Sequence, residues 1–288
     1  MRFPNYLFIL SVLVSLPAFA QSTKKETQDG VDVGKSSALR NLVPAEGMER
    51  QANQQYAQLK QEMAAKKALA PDNYPELIRL RAIAKRIIPF ATRFNPRAAQ
   101  WQWEVNLIGS NQINAFCMPG GKIAFYTGIL SQLKLTDDEV AMVMGHEIAH
   151  ALREHAREQA GKNTLTKLGA VGLSIFTGGK YDGLVNTGAN LLSLSYSRSD
   201  ETDADLVGLD IAARAGYDPR AGITLWQKMS AANKGAPPQW MSTHPSGPSR
   251  IKEMERHMSA VMPLYQRAEK PARTPVAAAP AVPRTTQP

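Results

Sequence analysis

Met144-Gly145-His146-Glu147-Ile148-Ala149-His150 is the stretch on which the fold turns. His146 and His150 are four positions apart, which on an α-helix separates them by about 40° around the axis and puts their Cβ atoms roughly 5–6 Å apart, so both imidazoles reach one ion. Glu147 lies about 100° round from His146, badly placed as a ligand beside both histidines and well placed to take a proton from a water held there. The pattern implies a zinc-binding helix with His146 and His150 as ligands and Glu147 as general base.

The surroundings fit that helix. Thr136-Asp137-Asp138-Glu139 forms a capping box, and the two aspartates suit the positive end of the helix dipole. Val140, Val143, Met144, Ile148 and Leu152 recur at helical spacing, and nothing but Gly145 interrupts the pattern before Gly161, which predicts a helix of about 24 residues. His155 would then face away from the metal, about 180° from His146, as a surface or helix-end histidine. Zinc in a catalytic site takes three protein ligands and a water. The supplier of the third is the stretch Ser197-Arg198-Ser199-Asp200-Glu201-Thr202-Asp203-Ala204-Asp205, followed by a helical pattern that ends at Gly216. Glu201 and Asp205 share a face, so Glu201 is the expected ligand and Asp205 the acceptor for the free ring N–H of a ligand histidine. Asp200 and Asp203 are explained as acids at a helix N-terminus, a reading open to Glu201 and Asp205 as well.

In order along residues 74–262 stand Asn114-Ala115-Phe116 with Pro119-Gly120-Gly121 and Gly128, the HEIAH run at 146–150, Ser197-Arg198 with Glu201 and Ala204-Asp205, and His244-Pro245-Ser246 with Arg250-Ile251. This order resembles the HtpX and CAAX-prenyl-endopeptidase family of zinc metallopeptidases, the gluzincins, and within it the soluble periplasmic branch of BepA-like and LoiP-like members. The resemblance implies one zinc per chain on His146, His150 and Glu201, Glu147 as the base, and Asp205 and Arg250 behind the ligands. It puts His244 beside the zinc, either stabilising an oxyanion or occupying the water position in a latent state; read alone, a histidine in a polar Thr-His-Pro-Ser loop is equally an exposed loop residue. Asn114, Ala115 and Phe116 would form an edge strand that an extended substrate joins by main-chain hydrogen bonds, or else a core strand without substrate contact. The sequence departs from membrane-embedded members in having no later run near the roughly 20 apolar residues a bilayer requires. It shows no helical repeat after the peptidase blocks, and its single cysteine, Cys117, is not at a lipoprotein cleavage point and is expected to be buried.

Arg2, an apolar core at residues 6–16 and Ala18-Phe19-Ala20 form a cleavable signal peptide over residues 1–20, which predicts export to the periplasm. The net charge of +9 then points to peripheral contact with anionic membrane surfaces and not to nucleic acid. Residues 21–45 are polar and aperiodic and are expected to be a flexible leader; residues 46–265 form the metallopeptidase domain; the Pro/Ala-rich residues 266–288 are expected to be a disordered tail. Within the domain, residues 46–70 predict an exposed helix and Leu77 to Ile88 an amphipathic one. Residues 101–108, 113–117 and 123–126 predict strands, and helices dominate from about residue 131. The Gly-rich stretch 162–196 predicts either two short helices or a lid hinged at Gly178-Gly179.

The expected fold is α+β, mainly α, zincin-like, with a small antiparallel sheet packed on the HExxH helix. The expected function is a zinc metalloendopeptidase acting on misfolded or unassembled envelope polypeptides; the alternative is a holdase or assembly factor with a latent zinc site.

Overall fold

The computed structural model describes residues 29–177, 190–232, 238–245 and 248–272, with the side chains of 167–177, 193 and 248 not described. The expected signal peptide, the start of the expected leader, the expected hinge at Gly178-Gly179 and the expected tail beyond residue 272 lie outside the described residues. Helix α1 (Ala45–Ala65) and helix α2 (Pro75–Ile87) precede strands β1 (Glu104–Ile108), β2 (Ala115–Met118) and β3 (Lys122–Tyr126). Then come helices α3 (Thr127–Leu133), α4 (Asp137–Leu152), α5 (His155–Thr177), α6 (Arg198–Arg214), α7 (Ala221–Ala232), the short α8 (Gln239–Thr243) and α9 (Pro248–Arg267). Among the described residues no helix is long and apolar enough to cross a membrane.

Helix α4 is the axis of the core. Its capping box forms as expected, with Thr136 accepting from the Glu139 backbone and Glu139 returning to the Thr136 backbone. Every residue from Glu139 to Leu152 is buried, so the helix is enclosed on all sides and not merely on one face. α2, β2, α6 and α7 surround it. Thr224 and Lys228 on α7 hydrogen-bond the buried Glu139 carboxylate, which ties the start of α4 to that helix.

The helix of about 24 residues is not continuous. α4 stops at Leu152, Glu154 adopts the left-handed conformation with φ 59°, and α5 restarts at His155. A residue other than glycine is held there by its surroundings: the Glu154 carboxylate pairs with Arg40 at 3.3 Å and with Arg157 one turn on, and its carbonyl accepts from Glu158. The turn swings His155 out of the expected helical phase, so it does not face away from His150.

The sheet is mixed, not antiparallel. β3 lies between its neighbours, antiparallel to β2 and parallel to β1. Alternation and turn residues give strand positions but not strand order. Here the Pro119-Gly120-Gly121 hairpin folds β3 back inside β2, giving the apolar run Ile123-Ala124-Phe125 the central, fully buried place and leaving β2 at an edge beside α4. Gly120 and Gly121 have φ +83° and +80°, and a Cβ on Gly121 would lie 2.6 Å from the Trp103 ring, so the turn requires glycine.

Of the residues expected to form the leader, 29–44 lie along the domain. The Val31 side chain is buried, its N–H donates to Asp210 on α6, and residues 38–42 make a 3₁₀ turn. We refer to 29–34 as the strap. At the other end α9 reaches Arg267, slightly past the expected limit of the domain.

Candidate metal centre

Two glycines bring the halves of the site together. Gly145 on α4 faces Gly208 on α6: a Cβ on Gly145 would lie 2.8 Å from the Gly208 carbonyl oxygen, and one on Gly208 2.8 Å from the His146 nitrogen. The helices therefore touch backbone to backbone at His146 itself, one turn before His150. α6 starts with a capping box of its own, Ser197 with Asp200, and ends in a Schellman motif in which Tyr217 and Gly216 donate to the Ala212 and Ala213 carbonyls. Its first turn thus fixes Glu201 over α4. The Glu201 carboxylate lies 3.5 Å from His146 Nε2 and 3.4 Å from His150 Nε2, and the two Nε2 atoms are 3.1 Å apart.

His244, just past α8, completes the group: one donor atom each from His146, His150, Glu201 and His244 lie within 4.8 Å of one another, all buried. Both Glu201 carboxylate oxygens and His244 Nε2 are buried with no hydrogen-bond partner. Arg250 Nη1 approaches Glu201 Oε2 to 2.5 Å without the alignment of a hydrogen bond. Orphaned acceptors that converge in the interior call for a cation, and three imidazole nitrogens with a carboxylate suit zinc.

Charge bears this out. Burial pushes the Glu201 carboxyl up to about 9 against the pull of Arg250, and it lowers His146, and lowers His150 and His244 further. The histidines are thus neutral, as ligation requires, and a divalent ion would supply the charge that returns Glu201 to its anionic form. Glu147 points into the same space. Burial pushes its carboxyl up to about 8, opposed by a 2.6 Å bond from Trp240 Nε1 and by the Cys117 backbone N–H.

Asp205 and Arg250 lie behind His146. Asp205 Oδ1 is 3.0 Å from His146 Nδ1, and Arg250 grips Asp205 with Nε and Nη2, each at 2.6 Å. Burial would raise the Asp205 carboxyl, but Arg250 and His146 together hold it below the usual range. Ala115 and Phe116 lie in edge strand β2, and Asn114 just before it accepts the Ala115 N–H on its side chain. Because the Tyr126 N–H bonds the Asn114 carbonyl, the alternating ladder turns the Phe116 backbone towards β3 and the backbone groups of Ala115 and Cys117 away from it. Cys117 is free and buried, and burial pushes its thiol well up.

Three residues at the site are not among those the sequence placed there. Trp240 bonds Glu147 and stacks on His244, with ring centroids 4.8 Å apart. Tyr196 stacks on His150 at 3.9 Å. His155, expected at the surface, is buried with Nδ1 2.9 Å from His150 Nδ1, and its Nε2 is 3.1 Å from Asp203. Trp240 precedes His244 by one helical turn, a spacing that could have flagged it; the others depend on where separate helices meet.

The profile of Peptidase family M48 matches residues 78–258, more than half of the chain. The chain belongs to peptidase family M48. Members of this family are zinc-dependent metallopeptidases, and the buried His146, His150, Glu201 and His244 cluster is the possible metal site. The chain is 42% identical over 151 residues to the mitochondrial metalloendopeptidase OMA1 of Arabidopsis thaliana, a match covering 52% of this chain and 30% of that one. It is 28% identical over 183 residues to the Beta-barrel assembly-enhancing protease of Yersinia pestis, covering 59% and 37%. It is also 27% identical over 204 residues to the metalloprotease LoiP of Escherichia coli K12, covering 69% and 77%. This chain thus spans about a third of the length of the first two of these relatives. Matches to mitochondrial and bacterial proteins alike place the chain in the family and not in one branch of it.

Proposed function

We propose that the protein is an exported zinc metalloendopeptidase that cleaves misfolded or unassembled polypeptides of the bacterial envelope. The observation that carries the catalytic part is the convergence of orphaned Glu201 and His244 atoms with two histidine Nε2 atoms beside a buried Glu147. Export rests on the Arg2, apolar and Ala18-Phe19-Ala20 pattern, and the substrate class on that compartment and on a relative named for assembly of β-barrels.

His146, His150 and Glu201 would hold the zinc. When bound, zinc supplies Lewis acidity, making a water acidic near neutral pH and polarising the scissile carbonyl. Glu147, with its carboxyl raised towards the working pH, takes the proton from the attacking water and later returns it to the leaving amine. Trp240 Nε1 and the Cys117 N–H hold the Glu147 carboxylate beside the donor group, with Oε1 3.6 Å from His244 Nε2. The edge of β2 would offer the Ala115 and Cys117 carbonyls as acceptors to an extended chain, since their N–H groups already bond Asn114 Oδ1 and the Glu147 carboxylate, which would give weak sequence preference.

A second reading, a holdase with a latent site, is favoured by one observation: His244 Nε2 sits within the donor group itself, 3.6 Å from Glu147 Oε1. One experiment separates the two. Zinc content and casein cleavage are measured for wild type, Glu147→Gln and His244→Ala. The peptidase reading expects about one zinc per chain, chelator-sensitive cleavage, and a loss of roughly 10²–10⁴-fold in Glu147→Gln with the metal retained. Cleavage at the wild-type rate by Glu147→Gln sinks it. Faster cleavage of small peptides by His244→Ala supports latency, and slower cleavage assigns His244 to the oxyanion.

A further inference from the structure

We propose that His155, held by Asp203 and Arg153, is a positioning residue for the metal site that fixes the tautomer of His150. The proposal rests on the reading of His146, His150 and Glu201 as zinc ligands. Two ring nitrogens, His150 Nδ1 and His155 Nδ1, lie 2.9 Å apart in the buried interior, so one of them carries the proton between them. The far side of His155 decides which. Its Nε2 is 3.1 Å from Asp203 Oδ2, an anionic acceptor that also takes a 2.6 Å bond from Arg153 Nε. A bare lone pair on His155 Nε2 would face that carboxylate, so Nε2 carries the hydrogen and donates. His155 Nδ1 is then the acceptor, His150 Nδ1–H the donor, and the His150 Nε2 lone pair points at Glu201 and His146, where an ion would sit.

The opposite arrangement puts a hydrogen on His150 Nε2, into the 3.1 Å gap with His146 Nε2, and closes the site to metal. Asp203 therefore selects the ligating tautomer of His150 through one intervening ring. Arg153 steadies the far end: besides Asp203, its Nη2 donates to the Gly34 carbonyl at 3.0 Å and the Val33 carbonyl at 3.3 Å, so the strap locks the guanidinium in place. Tyr196, stacked on His150 with 21° between the ring planes, sets the plane in which Nδ1 meets His155. His155, Asp203 and Arg153 make their side-chain hydrogen bonds to His150, to one another and to the strap and not to Glu147, which makes them supports and not reacting groups.

The test measures the zinc dissociation constant by competition with a chromophoric chelator, together with ¹⁵N imidazole shifts of the zinc-free protein. His155→Phe keeps a ring and removes both nitrogens; His155→Gln keeps one acceptor and one donor. His155→Phe is expected to weaken zinc binding about 10–100-fold, the loss typical when such a support is removed, with His155→Gln recovering most of it. In the zinc-free wild type His150 should carry its proton on Nδ1. A folded His155→Phe that binds zinc as tightly as wild type, or a wild-type His150 protonated on Nε2, overturns the proposal. If His155→Phe does not fold, Asp203→Asn at the partly exposed end of the relay decides: weaker zinc binding supports the proposal and unchanged binding overturns it. Failure of the wild type itself to bind zinc would instead sink the zinc-site reading.

Discussion

The two histidines proposed as zinc ligands are one helical turn apart on α4 and are supported by opposite means. His146 is backed directly by a carboxylate, Asp205, which Arg250 grips from behind, and this whole ionic assembly is buried. His150 is backed by a second imidazole, His155, and meets its carboxylate only one ring further out, at Asp203, whose side chain is 17% exposed. The first support is strong because its charges are sealed and mutually dependent; the second keeps charge away from the core and relies on hydrogen-bond direction. A site built this way should respond to damage in two different currencies, folding stability on the His146 side and metal affinity on the His150 side.

The largest effect should come from Arg250→Met. This removes the cation that serves both Asp205 and Glu201 and that stacks 3.7 Å over the Trp226 ring, leaving two buried carboxylates without it. Breaking a buried ion pair from one side costs about 3–5 kcal/mol, and urea unfolding in the presence of a chelator should show a loss of that order. His155→Phe, which strands one neutral N–H of His150, should lose only about 1–3 kcal/mol in the same assay. Equal losses would break the contrast between ionic and neutral supports.

That contrast also marks what could be read from the sequence. The His146 side was legible because its members recur at helical spacing within their own helices: His146 and His150 four apart, Glu201 and Asp205 four apart, both helices announced by caps and apolar periodicity. Arg250 and His244 came only with the order of the motif blocks, since nothing local to them indicates which helix they meet. The His150 side was read wrongly. Helical phase put His155 on the far face, and the phase argument fails because Glu154, which carries no turn signature, leaves the helix for the left-handed region. The sheet failed in the same way, its strands placed correctly and its order not, because order is set by how β3 packs and not by any strand's own pattern. Gly145 looked like a mere interruption of the helix; its role appears only when Gly208 is brought against it.

The break at Glu154 can itself be tested. Glycine accepts φ 59° without cost, whereas a β-branched residue there is strongly disfavoured, and a residue held in such a region against its preference costs about 1–3 kcal/mol. Glu154→Gly and Glu154→Val both lose the pairs with Arg40 and Arg157, so their difference isolates the backbone. Glu154→Val should melt lower than Glu154→Gly and bind zinc more weakly, because straightening the turn withdraws His155 from His150. Identical melting and identical zinc affinity in the pair would mean that packing around α5, and not the left-handed residue, sets the position of His155.

The smallest effect is expected at the far end of the strap, and it asks how far the His150 support extends. Asp29 meets Arg214 at 2.9 Å, Arg267 at 2.7 Å and Arg93 at 3.5 Å, and the bond from Arg214 leads the interactions that hold its carboxyl below the usual range. Half of its side chain is exposed, so water and salt screen these pairs and Asp29→Asn should cost less than about 1 kcal/mol, less still at high salt. The sign with pH follows from the lowered pKa. The carboxylate stabilises the fold fully above its ordinary value near 3.9, and that contribution is lost as pH falls through the lower folded value. Wild type and Asp29→Asn should therefore differ at neutral pH and converge in strong acid. Zinc affinity should not change, because Val31 stays pinned to Asp210 and Arg153 still holds the Val33 and Gly34 carbonyls. A drop in zinc affinity in Asp29→Asn comparable to that of His155→Phe would show that the strap as a whole, and not its last two carbonyls, steadies Arg153, and the support of His150 would then begin at the protein surface.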